Sequence, residues 1–494
     1  VSKFDFEKLI DDSNNIDTNL KDYINGFSDD VKEILDNFEI ATIIEKLKKA
    51  GLLYLVVQKF SEINLGADTI DNLEMGYMFE ELIRKFSEQS NETAGEHFTP
   101  REVIELMVEV LLDTDLDEIT TTDGKVITIL DPACGTGGML SIAQNKIRAL
   151  NSRTTVVPFG QELNPETYAT CKSDMILKNN TNSKIVFGNS FSEDGFREQK
   201  FDYILSNPPF GVEWKKVKNF IENESKHKGY DGRFGAGTPR ISDGSLLFLQ
   251  HMISKMQPIE KGGSRIGIVF NGSPLFSGDA GSGESEIRKW IIEKDLLEAV
   301  IGLPDQLFYN TGISTYVWIL TNRKTDRRKG KIRLINGTSF FGKMRKSLGN
   351  KRNEITESDR KEIVRLYSTY EHDENYIDFD NDDFGYRKIT IERPLYDENR
   401  EVVVEKGNPK PNSKLRDTET VPFKEDIHEY FKREVLPHVP DAWIDEKKTK
   451  IGYEIPFTRH FYKFTPLRES SVILDEIKQL EEKIQKSLNE LFKG

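Results

Sequence analysis

The sequence predicts an α/β protein: a seven-stranded doubly wound sheet whose last strand runs antiparallel, preceded by an all-α N-terminal domain and followed by a C-terminal helical extension. Three observations carry this expectation. Between about 126 and 320, short apolar runs alternate with helical periodicities, the pattern of consecutive βα units. The last two runs are joined only by Gly302–Ile313, too short for the crossover that parallel neighbours require. Before residue 95, apolar residues recur at helical intervals and no strand pattern interrupts them.

Length and composition set the frame. At 494 residues the chain exceeds one ordinary domain, and 37% apolar with 31% charged residues suits a sizeable core under a wet surface. No run approaches the roughly 18 apolar residues of a membrane span. The opening Val1-Ser2-Lys3-Phe4-Asp5 carries no signal-peptide pattern, and its lack of an initiator Met is consistent with numbering that begins inside the natural chain. Only Cys134 and Cys171 are present, which excludes a disulfide framework, suits the reducing cytoplasm and leaves no expected metal site. The net charge of −14 argues against gripping a polyanion over the whole surface, so any nucleic-acid role needs a local basic patch or a basic partner.

In chain order, Leu9, Ile16, Leu20, Ile24, Ile34 and Leu35 begin the helical stripes, which continue through 40–60 and 71–90. In the last of these, Leu73, Tyr77, Met78, Leu82 and Phe86 alternate with charged residues. Gly95–Arg101 breaks the pattern, with Thr99 as expected N-cap and Pro100 as first-turn residue of a helix Glu102–Leu112. The expected strands are 126–130, 156–161, 184–187, 201–206, 265–270, 297–301 and 315–320, with helices at 137–150, 165–179, 243–256 and 284–294. Residues 321–355 are strongly basic, readable equally as a solvated linker or as a phosphate-contacting stretch. Residues 370–420, acidic, polar and rich in Pro and Asn, read as partly extended or mobile, and Val421–Leu436 as helical. Thr465–Gly494 reads as a long helix whose seam of Ile473, Ile477, Leu480, Ile484 and Leu491 suits packing on its own protein or on a partner helix.

Chemistry concentrates at the ends of the first four strands. Asp131-Pro132-Ala133-Cys134-Gly135-Thr136-Gly137-Gly138 follows the first strand. Its glycines let backbone approach a ligand at a helix N-terminus. The dinucleotide pattern is not met, and Asp131 disfavours a pyrophosphate while suiting a positively charged ligand. Glu162 ends the second strand, where an acid accepts from ribose hydroxyls. Asn189 and Ser190 follow the third, where polar groups can read an adenine edge. An adenosine with a charged, amino-acid-like tail is S-adenosyl-L-methionine. After the fourth strand, Asn207-Pro208-Pro209-Phe210-Gly211 forms a turn that neither proline can extend as a strand. It can aim an amide oxygen, a prolyl carbonyl and a ring face at one planar group, although a lone Pro-Pro more often just ends a strand.

Asp131–Leu140 and Asn207–Phe210, in this order and about 75 residues apart, together with Gly95–Arg101, Leu303–Thr315 and Gly452–Arg459, resemble the modification subunit of type I restriction–modification enzymes, within the adenine-N6 DNA methyltransferases. The resemblance implies a methyltransferase domain over 96–345, between a helical domain 1–95, a mixed region 346–464 and a terminal helix 465–494 for subunit contact. It implies cofactor binding by Thr99, Pro100, Asp131, Ala133, Gly135, Thr136, Gly137, Gly138, Glu162, Asn189, Ser190 and Asn207. It places catalysis at Asn207, Pro208, Pro209 and Phe210. Asn189 stands where many relatives carry Asp. Expected partners are duplex DNA, a specificity subunit and, in the full complex, a restriction or translocase subunit, since no G-x-x-x-x-G-K-[ST] motif is present here. Two alternatives share some of these features. One is methylation of another planar nitrogen, such as a protein glutamine; the other is a cofactor-binding scaffold without transfer.

Overall fold

The computed structural model describes residues 2–64, 69–70, 75, 78, 82, 85, 99–178, 180, 182–309, 311–462 and 469–491, the last four without side-chain detail. Most of the expected stripe at 71–90 and all of Gly95–Phe98 lie outside the described residues. The chain divides into two compact units, Val1–Ile455 and Pro456–Gly494.

The first unit is built on one sheet. Its strands are β1 (Val126–Asp131), β2 (Thr155–Glu162), β3 (Lys184–Phe187), β4 (Tyr203–Ser206), β5 (Arg265–Asn271), β6 (Leu297–Gly302), β7 (Thr315–Thr321) and β8 (Lys331–Asn336), with β9 (Gly342–Leu348) and β10 (Lys351–Glu354) forming a separate hairpin before β11 (Tyr376–Asp380). The spatial order is β11-β8-β6-β7-β5-β4-β1-β2-β3. β3, β2, β1, β4 and β5 run parallel, whereas β7 is antiparallel to both β5 and β6, as its short connection requires. The sheet therefore has nine strands, not seven. β8 adds parallel to β6, and β11 adds antiparallel to β8.

Of the two extra strands, β11 comes from the acidic stretch 370–420 and β8 from the basic stretch 321–355. Ile332, Leu334 and Ile335 are buried there, and so is Arg333, whose guanidinium meets the Asp378 carboxylate on β11 at 2.7 Å through both Nε and Nη2. A buried cation needs such a partner, and the sequence does not show that Asp378 lies opposite. β5, β6 and β7 are covered on both faces and read as near-continuous apolar runs, as expected of a central sheet.

The helix Arg101–Asp113 covers one face with Val103, Leu106, Met107 and Val110. Its N-cap is Pro100, without a side-chain cap, so Thr99 is not the cap that its residue type suggests. A helix Lys218–Lys228 also forms; its apolar content is low, which hides it from a periodicity reading.

N-terminal helices Phe6–Asp11, Ile16–Asn25, Asp29–Asn37, Ile40–Lys49 and Leu53–Ser61 gather Leu9, Ile16, Ile44, Leu53 and Val57 into their own core. Glu33 ties them to the helix Pro165–Leu177, accepting from Tyr168 Oη at 2.7 Å and Lys172 Nζ at 2.5 Å. After the main sheet come β12 (Gly385–Glu392), the short pair β13 (Val404–Glu405) and β14 (Asn408–Pro409), β15 (Asp417–Pro422) and β16 (Trp443–Tyr453). β12 lies between β15 and β16, both antiparallel to it. The helix expected at 421–436 starts only at Ile427, because Val421 and Pro422 pair in β15. In the second unit the helix Ser470–Leu491 exposes Ile473, Ile477, Leu480 and Ile484; residues 463–468 and 492–494 lie outside the described residues.

Candidate functional site

The parallel strands deliver four loops to one carboxyl edge of the sheet. β1 and β4 are neighbours whose following helices leave in opposite directions along the strand order, and such a switch point opens a crevice. Asp131, Glu162, Asn189 and Asn207 all lie at or just beyond the ends of these strands.

The loop after β1 turns through left-handed backbone at Gly135 (φ 51°) and Gly137 (φ 84°). A Cβ on Gly135 would meet nothing within 4 Å, so conformation alone demands glycine there. A Cβ on Gly137 would lie 2.6 Å from Cys171 Sγ, so that position is closed to side chains by space as well. Cys134 is buried with its Sγ 3.9 Å from that of Cys171, and this contact together with burial holds its thiol protonated. It is therefore not the nucleophile of a covalent mechanism.

Asp131 is 2% exposed. Its Oδ1 accepts from Ala133 N at 3.0 Å and from Ser206 Oγ at 2.8 Å. Burial pushes its pKa up to about 7 against both hydrogen bonds, and the charge of Glu162 adds to the rise. A cation beside it would restore the ionised form. The Glu162 carboxylate accepts from Gly135 N at 2.8 Å through Oε2, and from Leu163 N and Asn164 N at 2.9 and 2.7 Å through Oε1. It thus ties the glycine loop to the end of β2. These features fit S-adenosylmethionine: Asp131 for the positive end, Glu162 for the ribose, and a backbone loop open at Gly135.

Asn189 and Ser190 sit differently from their expected roles. Asn189 Oδ1 accepts from Phe191 N and Ser192 N at 2.9 and 3.3 Å, so its carbonyl oxygen is engaged by its own loop. Ser190 is buried, and its Oγ donates to Pro132 O at 2.5 Å, locking the loop after β3 to the loop after β1.

At the end of β4 the amide of Asn207 is held on one side only. Nδ2 donates to Thr99 Oγ1 at 2.9 Å, while Oδ1 is buried and has no hydrogen-bond partner among the described residues. An orphaned buried acceptor is costly and calls for an explanation. Thr99, expected at the cofactor, thus also orients this amide. Pro208 is buried and Pro209 half-buried. Phe210 is 6% exposed and packs edge-to-face with Phe308, centroids 6.4 Å apart, so its ring does not present an open face in this arrangement.

Three residues outside the sequence-predicted set complete the site. Ser206 links Asp131 to the Asn207 turn, and its signal is a small hydroxyl at the last position of a strand beside β1. Phe308 walls the turn from the short β6–β7 connection, where an aromatic beside Tyr309 is visible in sequence. Arg233 donates to Ser190 O at 2.9 Å and Phe191 O at 2.6 Å while paired with Glu224, so it fixes the loop that carries Asn189. No local pattern marks Arg233, because its partners lie up to 43 residues away.

The Asp131 environment sets a pH dependence. A ligand whose positive charge lies beside Asp131 binds the ionised form, so affinity rises with pH up to about 7 and levels off above it. Calorimetric titration with S-adenosylmethionine at about pH 6 and about pH 8 is expected to give binding roughly tenfold tighter at the higher value. Asp131→Asn should weaken binding and flatten this dependence.

Comparison with known proteins bears on the family and the fold. A family model described as N-6 DNA methylase matches residues 71–385. The chain is 29% identical over 343 residues to the type I restriction enzyme MjaIX methylase subunit of Methanocaldococcus jannaschii, covering 68% of this chain and 55% of that protein. It is 31% identical over 280 residues to the HindI methylase subunit of Haemophilus influenzae, covering 56% and 55%. The chain therefore spans little more than half the length of these curated relatives. Among solved structures, the type I restriction-modification system methyltransferase subunit from Streptococcus thermophilus superposes with a TM-score of 0.61 at 24% identity, covering 76% of each chain. That likeness is one of fold.

Proposed function

The chain belongs to the N-6 DNA methylase family, and from that premise we propose that it methylates the N6 amine of adenine in duplex DNA, acting as the modification subunit of a type I restriction–modification complex whose specificity subunit selects the site. The observation that carries the reading is the buried Oδ1 of Asn207, unpartnered among the described residues, in the crevice beside Asp131 and Glu162. A base amine is a poor nucleophile because its lone pair is delocalised into the ring. Asn207 Oδ1 can accept one N6 hydrogen and the Pro208 carbonyl the other, favouring a pyramidal nitrogen. Thr99 keeps the amide oriented with its oxygen toward the amine. S-adenosylmethionine, when bound in the crevice, supplies an electrophilic methyl on a sulfonium. The residues that hold amine and donor in line contribute by positioning, and the methylated nitrogen is acidic enough to release its proton to water.

Reaching the amine requires the adenine to leave the stack. Phe210 in the turn and Phe308 against it are aromatic, and a base stacking there gains roughly 1–3 kcal/mol. Because Phe210 is buried against Phe308, admitting a base requires these rings to part. The acidic balance of the chain supports dependence on another subunit for target choice.

The test is transfer of labelled methyl to adenine-containing duplex DNA, by the full chain with and without a specificity subunit. Label is expected in N6-methyladenine, with sequence-specific incorporation only when the subunit is present. Full site-specific activity by the chain alone would remove the dependence. Label found in protein glutamine and not in DNA would replace the substrate.

A further inference from the structure

We propose that the β9–β10 hairpin is an arm that contacts the phosphates of duplex DNA beside the target adenine, an inference that rests on the methyltransferase reading above. The stretch 321–355 is strongly basic in a chain of net charge −14, but the fold neutralises much of it. Arg323 pairs with Asp115, Lys324 with Asp295 and Lys329 with Asp326. Arg328 lies within 4.0 Å of Glu298, Arg333 pairs with Asp378 and Lys351 with Glu102. Lys343, Arg345, Lys346 and Arg352 remain exposed, without an acidic partner among the described residues. All four lie on one hairpin, opposed there only by Glu354.

The hairpin's pairing is irregular in a way that thrusts these cations outward. Lys351 pairs with Leu348 and Asn353 with Lys343, so the four residues Met344–Ser347 stand opposite Arg352 alone. Such a bulge re-aims the side chains it carries. Little apolar surface holds the arm in place: in β9 only Met344 and Leu348 are half-buried apolar side chains. What fixes it is polar. Asn350 N donates to Tyr309 O at 2.7 Å, and Arg352 N and Asn353 N donate to Gln306 O at 2.9 and 3.2 Å. Asn353 Nδ2 donates to Asp305 O at 2.8 Å.

Those acceptors belong to the β6–β7 connection, whose Phe308 packs on Phe210. The Lys351–Glu102 pair adds an anchor in the first turn of the helix that follows Thr99, the partner of Asn207. The arm is thus seated on the two segments that wall the amine-binding turn. Duplex DNA delivering a base to that turn brings its backbone past the arm, and unpaired lysine and arginine meet phosphate by charge without reading sequence. This supplies a local positive contact in a chain whose net charge is negative. The competing explanation is that the cations only guard a strand edge against self-association.

The experiment compares the complex of the full chain and its specificity subunit with the same complex carrying K343Q, R345Q and K346Q. Affinity for a labelled duplex without a target site is measured across salt concentrations. If the three charges meet phosphates, the slope of log affinity against log salt falls by roughly 2 to 3, and binding at low salt weakens about tenfold or more. R345K should keep the slope of the parent. S-adenosylmethionine affinity and melting temperature, expected unchanged, report that the variant is folded. An unchanged slope and affinity would overturn the proposal, as would self-association of the variant with DNA binding intact. Methyl transfer by the parent complex is measured in parallel: its absence would end the methyltransferase reading, whereas transfer with an unchanged slope would end only the role of the arm.

Discussion

Replacing Asn207 with alanine is expected to lower methyl transfer roughly 10²- to 10³-fold, the range for removing one group that acts on the reacting atoms, while leaving the protein as stable as before or more so. The two effects have one origin. Asn207 Oδ1 is buried without a hydrogen-bond partner among the described residues, and such an orphan costs roughly 1–3 kcal/mol. Alanine removes that cost and loses only the bond from Nδ2 to Thr99, worth about 1 kcal/mol. A residue serving structure alone would show the opposite sign, with stability falling and turnover preserved. Initial rates with labelled cofactor, thermal melts and cofactor titration on the same variant separate the cases. Normal turnover would remove Asn207 from the mechanism.

The second large effect is on stability. Arg265 and Glu298 are each 1% exposed, on β5 and β6, and meet at 2.7 Å. Tyr367 Oη donates to the same carboxylate oxygen at 2.6 Å, bringing in the helix Glu357–Ser368. Burial by itself would raise the Glu298 pKa, yet the guanidinium groups of Arg265 and Arg328 hold it below the usual carboxylate range.

Arg265→Met leaves the buried Glu298 carboxylate with Tyr367 and the more distant Arg328 alone, and losing one partner of a buried pair typically costs about 3–5 kcal/mol. Urea unfolding followed by fluorescence should show this, since Trp318 lies fully buried on β7 between the two strands. The double variant Arg265→Met with Glu298→Met should recover part of the loss, because the stranded partner is removed with its pair, while buried Arg328 loses Glu298 and keeps its bond to the Tyr367 carbonyl. The pH dependence has a fixed sign. Glu298 titrates lower when folded than when unfolded, so its contribution is fully present above the ordinary carboxylate range and is lost as pH falls through the folded pKa. Equal stability of Arg265→Met and its parent at neutral pH would show that the pair is not a structural tie.

Much of the central sheet is legible in the order of residues alone. Strand runs such as Val126–Asp131 and Arg265–Asn271 carry their own hydrophobic pattern, and Gly302–Ile313 states by its length that β7 must run backward. The glycine loop and Asn207–Phe210 are equally plain, since glycine and proline mark backbone geometry locally. Thr99 reads as a helix cap because a threonine before proline is a good one, and nothing nearby reveals that Asn207, 108 residues away, donates to its hydroxyl. Arg333 reads as a surface charge for the same reason: its acid, Asp378, is 45 residues distant.

The sequence by itself therefore determined the class of fold, the order of its central strands and the segments that meet at one edge, because periodicity, connection length and turn chemistry are properties of neighbouring residues. Only the tertiary structure decided which of those groups remain available. Among the described residues, Asn207 keeps an orphaned oxygen, Ser190 is engaged by Pro132, and four cations on one hairpin are left without acids. Availability depends on which distant partner a side chain finds, and that is settled when the chain closes on itself.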